Sequence, residues 1–221
     1  MYFYSDNQKI KIPNSLFLHK IGSGKEANVY KLNDKVIKIL KNKKLKCIQN
    51  KKECHLKLTN INTKQIILPT KLYYDKNNLY MANESLYVKP SKKTILQYSL
   101  EEMIYNMENL EKDIIEISRN FIRIKDLYIS NCVLGDYIYI VDFGYFKIDI
   151  DELKNNNWLK LKEMNEYSLK VFFINTLIET LKNQNTDEVY KYYLRSIKEK
   201  IALSELLKEK NDINKIYSKV K

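Results

Sequence analysis

At 221 residues the chain can form one domain or two small lobes around a cleft, and 44% hydrophobic with 12% aromatic residues is enough for a packed core. The formal charge of +12 points to polyanionic company, whether nucleotide, RNA, ribosome or acidic protein surface, or else to a lysine-rich surface that only aids solubility. Cys47, Cys54 and Cys132 with His19 and His55 lack metal-ligand spacing, no signal-peptide pattern opens the sequence, and no run approaches the roughly 18 apolar residues of a membrane helix. These features predict free thiols in a soluble, cytoplasmic protein without a membrane partner.

Residues 15–40 read as strand, glycine loop, strand, turn, strand. An apolar run reaches Ile21, Gly22-Ser23-Gly24 follow, and then come Ala27–Leu32, a turn at Asn33-Asp34, and Val36–Leu40. Glycines at a strand-to-strand bend let backbone N–H groups approach phosphate oxygens without a side chain in the way. Lys38, in the next apolar strand, can extend its ammonium to the same phosphates. Lys25 and Glu26 either line that site or form a solvated loop tip.

Residues 41–58 carry a helical pattern with Leu45, Ile48, Leu56 and Leu58 as its apolar positions. Residues 65–88 read as strands, with a turn at Asp75–Asn78. From Ser99 the period becomes helical again, opened by the capping box Ser99-Leu-Glu-Glu102. Met103, Ile104, Met107, Leu110, Ile114, Ile115 and Ile117 are core positions of one helix or two.

The most informative stretch is 122–144. Asp126 and Asn131 lie five apart in a polar loop, followed by Cys132-Val133-Leu134, a Gly135-Asp136 turn, and the alternating run Tyr137–Val141. Two β-type runs around Gly-Asp predict a hairpin, which returns Asp142 to the neighbourhood of Asn131. Two carboxylates and an amide oxygen gathered there suit Mg²⁺ carried by a nucleotide, with one carboxylate left to orient an attacking hydroxyl. Beyond Trp158 the pattern predicts helices over 167–181 and 187–207, with an N-cap at Asn185-Thr186-Asp187.

Asp126, Asn131 and Asp142-Phe143-Gly144 together resemble the catalytic loop and D-F-G motif of protein kinases. The loop Ile21-Gly-Ser-Gly-Lys-Glu-Ala-Asn-Val-Tyr30 is most similar to that of the RIO branch of atypical protein kinases. Ile124-Lys125 replace the usual His-Arg, Ala27 replaces the third loop glycine, and no activation segment ending in Ala-Pro-Glu follows. The resemblance is thus to a small bacterial kinase-like protein with a pared-down large lobe.

That resemblance implies an α+β, bilobal fold, with a β-rich N-lobe over 1–88 and a reduced helical C-lobe over 89–221. An adenine-binding hinge would lie between Ala82 and about Val88. ATP would be held by Ile21, Gly22, Ser23, Gly24, Lys25, Val29 and Lys38, and Glu53 would pair with Lys38. Mg²⁺ would be held by Asn131 and Asp142, and Asp126 would be the catalytic base. The implied activity is γ-phosphoryl transfer to protein Ser/Thr hydroxyls, the chain itself included. Alternatives are a sugar-, choline- or aminoglycoside-type small-molecule kinase, and a RIO-like ATPase switch or scaffold on ribosome or RNA.

Overall fold

Alternation of apolar and polar residues from Ala27 to Leu40 produces two antiparallel strands joined at Asn33, whose φ of +56° is one that asparagine tolerates. These strands belong to the computed structural model, which describes residues 2–6, 8–42, 44–92, 98 and 100–180. Ser99 of the capping box, the helix over 187–207 and its N-cap lie outside the described residues. The protein is mixed α+β, with an antiparallel sheet of seven strands. It divides into two compact units: one of Met1–Asn62 and Ile67–Lys89, the other of Thr63–Ile66 and the described residues from Pro90 onward.

The first unit holds the large sheet. Its strands are β1 (Tyr2–Ser5), β2 (Gln8–Lys11), β3 (Lys20–Ser23), β4 (Ala27–Leu32), β5 (Lys35–Leu40), β6 (Pro69–Tyr74) and β7 (Tyr80–Leu86), in the order β2-β1-β6-β7-β5-β4-β3. One face buries Phe3, Ile12, Leu16, Tyr30, Ile37, Ile39 and Tyr73. On the other, Leu72 and Tyr80 pack with Ile48. Two short helices, α1 (Lys46–Gln49) and α2 (Lys52–Leu58), occupy the predicted helical stretch. Leu45 and Leu56 are exposed there, because the packing side is formed by Ile48, Cys54 and Leu58 instead.

Three features of this unit depart from the sequence reading. The β1–β2 hairpin was not expected, although Asp6 at φ +51° marks its turn. The apolar run before Ile21 is not all strand: Asn14–Leu18 forms a 3₁₀ helix that buries Leu16. Strand β7 continues past Ala82 as far as Leu86.

The second unit is built on α3 (Leu100–Arg119), one continuous helix that buries Met107, Leu110, Ile114 and Ile117. Short strands follow: β8 (Ile122–Arg123), β9 (Cys132–Leu134), β10 (Ile138–Ile140) and β11 (Lys147–Ile148). They pair antiparallel as β9–β10 and β8–β11. Helix α4 (Ile150–Lys154) is N-capped by Asp149, and α5 (Trp158–Thr180) packs on α3. Helix α5 starts nine residues before the expected Tyr167, and Asn157 Oδ1 accepts the Lys160 amide at its first turn. Helix α3 also buries polar groups that hold backbone. Asn106 Oδ1 accepts the Ile138 amide at 2.7 Å, and Asp113 accepts the amides of Lys64, Gln65 and Ile66 at 2.8, 2.6 and 2.9 Å. Among the described residues no helix is long and apolar enough to cross a membrane.

Candidate active site

Strand β8 delivers the chain to Asp126. Ile122 and Ile124 turn into the core while Arg123 and Lys125 alternate outward. Asn165 of α5 brackets the strand: its Nδ2 donates to the Ile122 carbonyl and Ser118 Oγ, both at 2.9 Å, and its Oδ1 accepts the Ile124 amide at 2.8 Å. Pairing of β8 with β11 ties the residues before Asp126 to those after Gly144. Asp126 itself has a φ of +65°, a left-handed conformation that costs a non-glycine residue on the order of 1 kcal/mol.

Asn131 holds this loop together. Its Nδ2 donates to the Asp126 carbonyl at 2.9 Å and to Asp126 Oδ2 at 3.1 Å, which turns its own Oδ1 away from those contacts. The expected hairpin is present, with Cys132 opposite Ile140 and Leu134 opposite Ile138. Its loop is the three residues Gly135–Tyr137 and not the pair Gly135-Asp136, closed by the Gly135 amide on the Tyr137 carbonyl at 2.9 Å. At the open end the Val141 amide reaches the Asn131 carbonyl at 3.0 Å, one residue before Asp142.

Asp142 Oδ1 accepts the Gly144 amide at 2.9 Å, and Phe143 and Phe146 anchor the turn in the core. A Cβ on Gly144 would stand 3.0 Å from that same oxygen, so the glycine gives the carboxylate its room. Among the described residues no three His, Cys, Asp or Glu side chains form a metal cluster. The donor set here is two carboxylates and an amide, a hard-oxygen set that suits Mg²⁺ only with water and phosphate oxygens completing its shell.

In the first unit, register places Gly22, Val29, Lys38 and Asn83 in one row across β3, β4, β5 and β7, on one face of the sheet. Ile21 lies at a bulge in β3 and is half exposed. The loop is braced: Ser23 Oγ donates to Asn28 at 2.8 Å, Lys41 Nζ to the Gly24 carbonyl at 2.7 Å, and Lys51 pairs with Glu26 at 2.7 Å. Lys25 is exposed. Neither Gly22 nor Gly24 has a positive φ, and a Cβ would meet nothing closer than 3.6 Å at Gly22 or 4.0 Å at Gly24. The fold could therefore accept alanine at both positions.

Glu53 is exposed on α2, and among the described residues no ion pair or hydrogen bond of its side chain is found; the structure does not bring it to Lys38. The helix turns Cys54, His55 and Leu58 inward, which leaves Glu53 facing outward. In the core, His55 Nδ1 lies 3.0 Å from Tyr80 Oη, which accepts from Asn83 Nδ2 at 2.6 Å. The sequence reading missed these residues, as well as Asn165 and Asn106, because a lone buried polar residue adds nothing to an apolar period.

A cleft of about 360 Å³ opens beside Asp126, lined also by Arg123, Lys125, Tyr128, Tyr167 and Val171. No family model matches the chain, and no curated protein matches it.

Proposed function

We propose that this protein is an ATP- and Mg²⁺-dependent kinase-like phosphotransferase, with protein Ser/Thr hydroxyls as acceptors, and that its two units are the lobes of a reduced, RIO-like kinase fold. The observation that carries the reading is the hairpin β9–β10, whose open end gathers Asp126, Asn131 and Asp142. In this reading Asn131 Oδ1 and Asp142 hold the metal, which supplies charge neutralisation at the phosphates. Asp126, with Oδ2 fixed by Asn131, orients the acceptor hydroxyl and takes its proton.

The glycine loop supports the same reading from the other unit. Glycine inside a strand, as Gly22 is, costs about 0.5–1 kcal/mol relative to alanine. Close approach of a ligand to the backbone accounts for two glycines that the fold itself does not require. Lys38, in the row with Gly22 and Val29, neutralises and positions the phosphates. Preorganised charge of this kind is the main source of catalysis in phosphoryl transfer.

Incubation with γ-labelled ATP and Mg²⁺ tests the proposal, with label followed on the protein, on carrier proteins and as free phosphate. Wild type labels protein, whereas Asp126→Ala and Asp142→Ala lose on the order of 10²–10⁴ in rate. Undiminished turnover in both variants would refute the assignment.

A further inference from the structure

We infer that the cleft beside Asp126 is the acceptor subsite and that it selects a serine or threonine flanked by acidic residues. The inference rests on the phosphotransferase reading and adds to it the chemistry of the substrate.

Asp126 is the only carboxylate lining the cleft among the described residues, and Asn131 occupies its Oδ2, which leaves Oδ1 for the acceptor. The remaining charge is positive. Lys125 is exposed and pairs with no carboxylate among the described residues. Arg123 stands 3.8 Å from Asp149 Oδ2 and its Nη1 donates to Met164 Sδ at 3.1 Å, so its charge is already partnered and Lys125 is the cation left to a ligand. The walls are Tyr128 and Tyr167, large rings that are 56% and 36% exposed, with Val171 beside them. Such a surface accepts the apolar body of a short peptide segment while Lys125 takes a neighbouring carboxylate.

The size fits a segment of two or three residues, and successive residues of an extended peptide are about 3.3–3.6 Å apart. A hydroxyl at Asp126 would therefore bring the neighbouring side chain to the adjacent Lys125. A lysine in the substrate would meet repulsion there, whereas a glutamate would meet attraction. The chain's charge of +12 adds long-range steering of the same sign. In the transfer, the serine oxygen forms its bond to the γ-phosphorus as the bond to the ADP oxygen breaks, and the hydroxyl proton passes to Asp126.

The test uses the full chain and three peptides that present one serine among glutamates, neutral residues or lysines, with wild type, Lys125→Glu and Tyr167→Ala. Wild type should favour the acidic peptide over the neutral one at least tenfold in kcat/KM. Lys125→Glu should reverse the order at unchanged KM for ATP, and Tyr167→Ala should raise KM for every peptide. The same peptide order in wild type and Lys125→Glu, or transfer only to small hydroxyl compounds, overturns the inference. Binding of an acidic peptide with alanine in place of serine separates the two claims. Tight binding by wild type and loss in Lys125→Glu, with no transfer to any acceptor, supports the cleft and refutes the phosphotransferase reading. Absence of both binding and transfer refutes both.

Discussion

Asn165 Oδ1 accepts the amide of Ile124 at 2.8 Å, two residues before Asp126, while its Nδ2 holds the carbonyl of Ile122 on the other side. One side chain thus fixes the height of the strand that leads into the loop carrying Asp126. Asn165→Leu strands a buried N–H and a buried C=O, each costing about 1–3 kcal/mol. Urea unfolding should show a loss of about 3 kcal/mol in total, accompanied by reduced turnover.

Gly144→Ala tests the room around Asp142. The backbone there does not need glycine's left-handed freedom, so the fold should survive with a thermal midpoint within about 2 °C of wild type. The new methyl group presses on Oδ1 from 3.0 Å. Displacement of a few tenths of an ångström should weaken Mg²⁺-dependent turnover about tenfold.

Gly22→Ala and Gly24→Ala should behave in the opposite sense on stability. Both methyl groups fit, so each variant should be as stable as wild type or up to about 1 kcal/mol more stable, through a less flexible unfolded chain. Nucleotide affinity, read by titration calorimetry with MgATP, should nonetheless fall. Unchanged affinity would remove the loop from the binding site.

Asp113 gives stability a specific pH dependence. Burial holds its carboxyl above the ordinary aspartate value, and the amides of Lys64, Gln65 and Ile66 offset this only in part. The folded state therefore binds this proton more tightly than the unfolded state does. The contribution is full below the ordinary value, about pH 4, and is lost as pH rises through the raised folded value. Unfolding curves of wild type and Asp113→Asn at several pH values should differ in slope across that window.

Cys132 follows Asn131 directly, and burial pushes its thiol up to about 12. Its Sγ donates to the Tyr128 carbonyl at 3.4 Å. At pH 8.5 the thiolate fraction is on the order of 10³ below that of an ordinary cysteine. Exposed Cys47 should therefore alkylate first, and partly exposed Cys132 markedly later; mass spectrometry of a timed iodoacetamide reaction reads the order.

Legibility in the sequence followed the kind of signal. The strands from Ala27 to Leu40 stand where their alternation and turn residues put them, and the hairpin after Asn131 differs only in its loop, which takes in Tyr137. Gly22 and Lys38 fall in one row because register, once set, propagates across the sheet. Glu53 is the sole acidic residue between Asp34 and Asp75, yet burial of Cys54, His55 and Leu58 sets the rotation of α2 and turns it outward. Asn165, Asn106 and Asp113 act through hydrogen bonds to distant backbone, which no local period encodes. The β1–β2 hairpin is short, and its outer strand is largely exposed, so its apolar signal is weak.

Residues 63–66 belong to the second unit although the chain on both sides belongs to the first. The polypeptide therefore passes between the units three times, and no single cut separates them into complete halves. A fragment ending at Lys89 would keep the Lys64, Gln65 and Ile66 amides without Asp113 to receive them. A fragment starting at Pro90 would carry that carboxylate without its donors. Neither half is a transferable module, so recombination could exchange this protein with others only as a whole.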